Sequence, residues 1–90
     1  MTQETITKQQ IKAYLNLKGY FWWYNLAGIG AQKGIPDMFV LHKGILFAVE
    51  VKTSTGNLST WQTQFLENVN DHGGMPVVAR SVEDIIKFLP

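Results

Sequence analysis

The chain has 90 residues, of which 46% are apolar and 12% aromatic, and it contains no cysteine. This length suffices for one folded domain, residues 1–90, and the apolar content is too high for a disordered segment. The lack of cysteine excludes a disulfide framework and a thiolate zinc site. The opening residues lack a signal-peptide pattern and the longest apolar run, ILFAV, is too short for a membrane span. We therefore expect a soluble intracellular protein.

Charge is divided unevenly along the chain. Residues 1–52 hold six lysines and three acidic residues, a net charge of +3, whereas residues 53–90 carry −2. The basic part could face a polyanion such as nucleic acid. Solvated lysines on a helix and loops explain the same distribution equally well.

The first half of the chain predicts one helix and three strands. Residues 4–18 have helical periodicity, with a T-x-x-Q cap at Thr7 and a stop at Gly19. The strands are predicted, from aromatic and β-branched content, at residues 20–26, 36–42 and 45–52. Residues 27–34 are predicted to form a glycine-rich loop. Its glycines lack the spacing of a dinucleotide site, so no nucleotide cofactor is expected.

The second half predicts a helix, a strand and a helix. Ser59 and Gln62 form an S-x-x-Q capping box that opens a helix running to about Asn70. A strand follows at 75–80, and the final helix is capped by Ser81 with Asp84. The side chains expected to be buried by this last helix are Val82, Ile85, Ile86 and Leu89.

The predicted element order is therefore αβββαβα. The helix between the strands at 45–52 and 75–80 is long enough for a crossover, so those strands should be parallel with a right-handed connection. We expect an α/β fold, a mixed four-stranded sheet flanked by helices.

The hairpin between residues 36 and 52 determines which charged side chains meet. If Lys43 and Gly44 form a two-residue turn, residues whose numbers sum to 87 face each other. Asp37 then lies opposite Glu50 in a non-hydrogen-bonded pair, with Cβ atoms roughly 4.5 to 5.5 Å apart. Two carboxylates this close repel, so a cation is expected between them.

The next pair along the same hairpin is Pro36 with Val51. Proline has no N–H, so the Val51 carbonyl loses its ladder donor and stays free beside the two carboxylates. Three oxygen ligands with room for water predict Mg²⁺ or Mn²⁺, and Lys52 lies on the same strand face as Glu50. The alternative is a surface hairpin end, at which Asp37 caps a turn and Glu50 pairs with Lys52.

These motifs resemble a known nuclease family. GIPD followed after twelve residues by EVK resembles the PD-(D/E)xK nuclease signature, and the flanking sequence resembles its VRR-NUC branch, the virus-type replication-repair nucleases. The resemblance extends to Glu4 ahead of Ile11 and Leu15, to the YN that ends the aromatic strand, and to the glutamine of LSTWQTQF. Two departures are Lys8, where the family often has glutamine, and Tyr24, where it often has arginine.

The resemblance implies a restriction-endonuclease-like core with a metal site. In it Asp37, Glu50 and the backbone carbonyl of Val51 bind Mg²⁺ or Mn²⁺, and Lys52 is the catalytic lysine. Gln62 and Glu4 are implied as further catalytic residues; a capping role for Gln62 remains open. The residues expected to contact DNA are Lys33, Lys8 and Asn25.

The implied activity is structure-selective DNA endonuclease cleavage, on branched substrates such as four-way (Holliday) junctions. A homodimer in the cytoplasm of a bacterial or phage-infected cell is expected, without membrane association. Trp22 and Trp23 point to opposite faces of a strand, so one of them is a candidate for a subunit interface. The alternatives are a non-catalytic DNA-binding module with the same fold, or a nuclease acting on flaps or plain duplex. A sequence-specific nuclease is disfavoured because little chain remains for base readout.

Overall fold

A computed structural model describes residues 1–25 and 33–90 of the chain. The predicted element order αβββαβα is confirmed. The helices and strands are α1 (Gln3–Lys18), β1 (Phe21–Tyr24), β2 (Met38–His42), β3 (Ile45–Val51), α2 (Thr60–Asp71), β4 (Met75–Ala79) and α3 (Val82–Phe88). Most of the predicted glycine-rich loop lies outside the described residues. None of these helices has the length and apolar character required to cross a membrane.

The four strands form one mixed sheet in the order β1-β2-β3-β4. The pairs β1–β2 and β2–β3 are antiparallel and β3–β4 is parallel. The sequence predicted the β2–β3 hairpin and the parallel β3–β4 pair. The β2–β3 turn has positive φ at both central residues, 50° at Lys43 and 80° at Gly44, which is the type I′ geometry that suits the twist of a hairpin. His42 therefore pairs with Ile45, and the predicted register is confirmed.

One face of the sheet carries the core. Alternate residues of β2, β3 and β4 point to this face, where α1 and α3 cover them. The buried apolar side chains that meet here are Ile11, Leu15, Met38, Val40, Phe47, Val49, Val51, Val77, Ala79, Ile85 and Leu89. A hydrogen bond of 2.7 Å from the Tyr14 hydroxyl to the Leu89 carbonyl joins α1 to the end of α3.

The opposite face of the sheet is covered only in part among the described residues. Helix α2 packs against β4, and Leu66 lines a groove together with Pro76 and Val78. On β1 and β2 the same face exposes the set that we call the aromatic face, which consists of Phe21 (66% exposed), Trp23 (39%), Leu41 (41%) and the half-buried Phe39. The Trp23 ring stacks on Phe39 with 5.8 Å between centroids.

The two neighbouring tryptophans lie on opposite sides of the sheet, as predicted. Trp22 packs against the core, and its indole Nε1 donates a 2.7 Å hydrogen bond to Asn16 Oδ1. Trp23 belongs to the exposed aromatic face. Of these two tryptophans, Trp23 is therefore the exposed one.

The predicted cap of the first helix is wrong. Helix α1 begins after Thr2, whose hydroxyl accepts the N–H of Thr5, and Thr7 is buried inside the helix. An N-cap residue lies outside the helix, whereas Thr7 follows a full helical turn, so it cannot cap α1. The earlier start of α1 places Glu4 on an ordered helical turn.

Two details of the last helix also differ from the prediction. The Ser81 side chain makes no capping bond; instead the Asp84 carboxylate accepts the N–H of Arg80 at 2.9 Å. Ile86 was expected in the core but is 38% exposed, because Ile85 and Leu89, four residues apart, take the core-facing positions.

Candidate active site

Asp37 lies immediately before β2, where Pro36 interrupts the ladder. Continued one step beyond the Met38–Val49 pair, the register brings Asp37 opposite Glu50, as predicted. Since Pro36 is not part of the ladder, the Val51 N–H donates instead to Asp37 Oδ2, at 2.8 Å. The aspartate is thereby fixed to the neighbouring strand through one of its two oxygens.

Glu50 is the buried acid of the site, with 3% of its surface exposed. Its Oε1 accepts a 3.1 Å hydrogen bond from the Gln62 amide, and the Lys52 ammonium lies 4.0 Å from the same oxygen. Burial, and after it the negative charge and hydrogen bonding of Asp37, raise the pKa of Glu50 to about 8, although Lys52 opposes the shift. An ionised Glu50 therefore requires further positive charge.

The backbone of Val51 brings a third oxygen to this edge. Its N–H points toward β2, whereas the N–H of Lys52 points the other way and bonds to the Ala79 carbonyl on β4. In an extended strand the N–H and C=O of one residue point to the same side. The Val51 carbonyl is therefore directed toward Asp37, consistent with the predicted arrangement.

Gln62 both caps α2 and contacts the site. Its backbone N–H and side-chain Oε1 complete the capping box with Ser59, at 3.1 and 2.8 Å. Its Nε2 is left to donate to Glu50. The structural and the functional explanations of this glutamine are thus compatible, since different atoms of one side chain serve each.

Gly34 fixes the position of α2 above the carboxylates. It has φ of 78°, and a Cβ at this position would overlap the backbone carbonyl of Trp61. Only glycine permits so close an approach between the segment before Asp37 and the first turn of α2. The sequence pattern included this glycine in GIPD, on the approach to the aspartate, but predicted no contact for it with α2.

Lys8 lies inside the site, beside its carboxylates. Its Nζ is 3.2 Å from Asp37 Oδ1 and 3.8 Å from Glu4 Oε1. The contact with Lys8 brings Glu4 near the site, where its charge adds, as the smallest of the causes, to the raised pKa of Glu50. The first helix thus supplies one acidic and one basic side chain to a centre otherwise built from the hairpin and α2.

The other predicted DNA contacts lie around the site. Lys33 is exposed, and its ammonium lies 5.1 Å from the centroid of the Trp61 ring. The backbone N–H of Asn25 donates to the Asp37 carbonyl at 2.9 Å, which extends the β1–β2 pairing to the site. Asn25 thus supports the backbone of Asp37.

The donor set agrees with a divalent metal bound by two carboxylates. In residues 1–25 and 33–90, no three acidic or histidine side chains converge as ligands of one ion. Two carboxylates, a backbone carbonyl and water form an oxygen shell of the kind that Mg²⁺ and Mn²⁺ take. The surface-hairpin alternative does not fit the burial of Glu50, although its Glu50–Lys52 contact is present.

Comparison with known proteins agrees with the fold. Two solved structures, described as "VRR_NUC domain" and "VRR_NUC domain protein", superpose with TM-scores of 0.82 and 0.78, at 23% and 17% sequence identity. The first match covers 99% of this chain and 96% of the other, and the second covers 98% and 85%. No curated protein matches the chain. The family model of the VRR-NUC domain matches residues 7–83. Because that match spans most of the sequence, the chain belongs to the VRR-NUC family, a family with a nuclease fold.

Proposed function

We propose that this protein is a metal-dependent DNA endonuclease that hydrolyses phosphodiester bonds in branched DNA such as four-way junctions. The observation that carries the proposal is the burial of Glu50 beside Asp37. A buried pair of carboxylates lowers stability unless cations compensate its charge. A metal bound by the two carboxylates would explain why the fold contains this pair.

Asp37, Glu50 and the Val51 carbonyl are the proposed metal ligands, with Mg²⁺ or Mn²⁺ as the ion. When bound, the ion lowers the pKa of a coordinated water and offsets negative charge on the phosphoryl group. The protein holds the ligands in place for this chemistry. The Val51 N–H fixes Asp37, and the Gln62 amide fixes Glu50.

Lys52 is the proposed catalytic cation. It projects from the same strand face as Glu50 and is only partly exposed, so its ammonium is directed along the carboxylates. There it can orient the attacking water and stabilise the charge that develops on the phosphate. Gln62 acts as a positioning residue, because its contact is with Glu50.

DNA is the proposed partner, with exposed lysines as its phosphate contacts. Lys33 lies at the edge of the site, next to Gly34 and over the exposed ring of Trp61. The preference for branched DNA rests on the family resemblance. It agrees with the small size of the domain, which leaves little surface for reading base sequence.

A second copy of the chain is the proposed occupant of the aromatic face. The four side chains of this face carry no charge, so they do not suit a polyanionic partner. Exposed apolar patches of this kind mark protein interfaces, and a self-complementary patch forms a two-fold dimer. The homodimer would place one active site on each of two DNA strands.

Cleavage of a substrate panel tests the proposed function. A labelled four-way junction, a flap and a plain duplex would be incubated with Mg²⁺, Mn²⁺ or chelator. We expect metal-dependent cleavage, fastest on the junction, that is lost in Asp37→Asn but kept in the control Asp71→Asn, an exposed acid of α2. Faster cleavage of flap or duplex would reject the junction assignment. Binding without cleavage under any metal would identify a non-catalytic DNA-binding module.

A further inference from the structure

The position of Lys8 raises a question about how a metal could enter the site. Its ammonium approaches Asp37 from α1, a helix held against the sheet by the buried Ile11 and Leu15. The side chain is about one-third exposed at 32%, and Asp37 is less exposed than that at 22%. The contact is therefore half-buried and held by two packed elements, unlike a solvated surface pair.

The oxygens of the two carboxylates are already partly occupied. Asp37 Oδ2 accepts the N–H of Val51, and Glu50 Oε1 accepts from Gln62. The remaining aspartate oxygen, Oδ1, is the atom that lies 3.2 Å from the Lys8 ammonium. A metal ion that approaches Oδ1 meets a positive charge already in contact with it.

We propose that Lys8 is an internal counter-ion, which a divalent metal must displace from Asp37 before the site becomes active. This inference rests on the proposed function, because it takes Asp37 as a metal ligand. In the metal-free protein the ammonium compensates part of the charge of the carboxylate pair. Displacement leaves Asp37 to the metal and turns the lysine away.

Glu4 makes the displacement possible at low cost. Its Oε1 lies 3.8 Å from the same ammonium, one helical turn from Lys8 on α1. A lysine released from Asp37 therefore keeps a carboxylate partner on its own helix. Lys8 thereby lowers the affinity of the site for metal.

Calorimetric titration of the full chain with Mn²⁺ tests the proposal without any substrate. Lys8→Gln removes the counter-ion, Lys8→Arg keeps a cation, and Lys12→Gln removes the same charge from an exposed position of the same helix. We expect Lys8→Gln to bind Mn²⁺ about tenfold more tightly than Lys12→Gln, a difference of about 1.4 kcal/mol. Lys8→Arg should bind no more tightly than the parent.

Equal or weaker Mn²⁺ binding by Lys8→Gln than by Lys12→Gln would overturn the proposal. If Lys8→Gln also lost affinity for a four-way junction in chelator, Lys8 would instead be a phosphate contact. A parent protein that binds no Mn²⁺ in the titration would overturn the proposed metal-dependent function as well. Tight parent binding that is unchanged in Lys8→Gln would overturn the counter-ion alone.

Discussion

Replacing Glu50 with glutamine should change how the stability of the metal-free protein depends on pH. Burial and the adjacent Asp37 raise the pKa of Glu50 from 4.5 to about 8. Between these two pH values the folded protein binds a proton that the unfolded chain has released. By linkage, the free energy of unfolding of the parent must fall as pH rises through this window.

The magnitude follows from the size of the pKa change. At about 1.4 kcal/mol for each pH unit, a rise from 4.5 to about 8 sets an upper bound of about 5 kcal/mol on the stability lost. Relaxation of the site around the charge reduces this value. Glu50→Gln keeps an acceptor for the Gln62 amide and never ionises, so its stability should lack this component.

Urea denaturation between pH 5 and 9, in chelator, measures the effect. The parent should lose several kcal/mol relative to Glu50→Gln, on the order of 3, as pH rises from 5 to 8. Glu67→Gln, an exposed acid-to-amide change on α2, is the matched control and should follow the parent. Added Mn²⁺ at pH 8 should stabilise the parent by about 2.7 kcal/mol at a hundredfold excess over its dissociation constant, with little effect on Glu50→Gln.

A constant difference between parent and Glu50→Gln across pH 5 to 8 would refute the reasoning. It would mean that Glu50 ionises in the folded protein as easily as in the unfolded chain. Asp37 and Glu50 would then not form a site that lacks compensating positive charge.

Three further predictions concern catalysis, packing and assembly. Lys52→Ala should abolish junction cleavage while leaving junction affinity in chelator nearly unchanged, since one lysine among several adds little to binding. Equal losses of cleavage and affinity would mean that Lys52 is a simple phosphate contact. Gly34→Ala should destabilise the protein by at least about 1 kcal/mol more than Gly19→Ala in thermal melting, because both have positive φ but only Gly34 touches another backbone. Trp23→Glu should convert a dimer to a monomer in sedimentation experiments, whereas Leu17→Glu, at an exposed apolar position on α1, should not. A dimer that survives Trp23→Glu would exclude the aromatic face as the dimer interface.

The hairpin shows what sequence alone could predict about the site. A two-residue turn ending in glycine determines the register of the strands that follow and precede it, because pairing propagates with a period of two. The position of Gly44 therefore predicted that Asp37 and Glu50 lie opposite each other. The cap at Ser59 was readable for a similar reason, since all its contacts lie within four residues.

The contacts that Lys8 and Gly34 make could not be predicted in this way. Where a long side chain reaches depends on how its helix packs across the sheet, and periodicity within the helix does not determine that packing. The close approach of Gly34 to Trp61 likewise joins segments far apart in sequence. For Thr7, local pattern favoured a cap but burial in the core took precedence.

The double role of Gln62 also links the site to local opening of the protein. Its own backbone amide is bonded to Ser59, so exchange of that amide hydrogen with solvent requires the first turn of α2 to come apart. Such opening disrupts the capping box and loosens the amide that holds Glu50. Any ligand that fixes Glu50 in place should slow this exchange, so one backbone hydrogen reports on the order of the whole carboxylate centre.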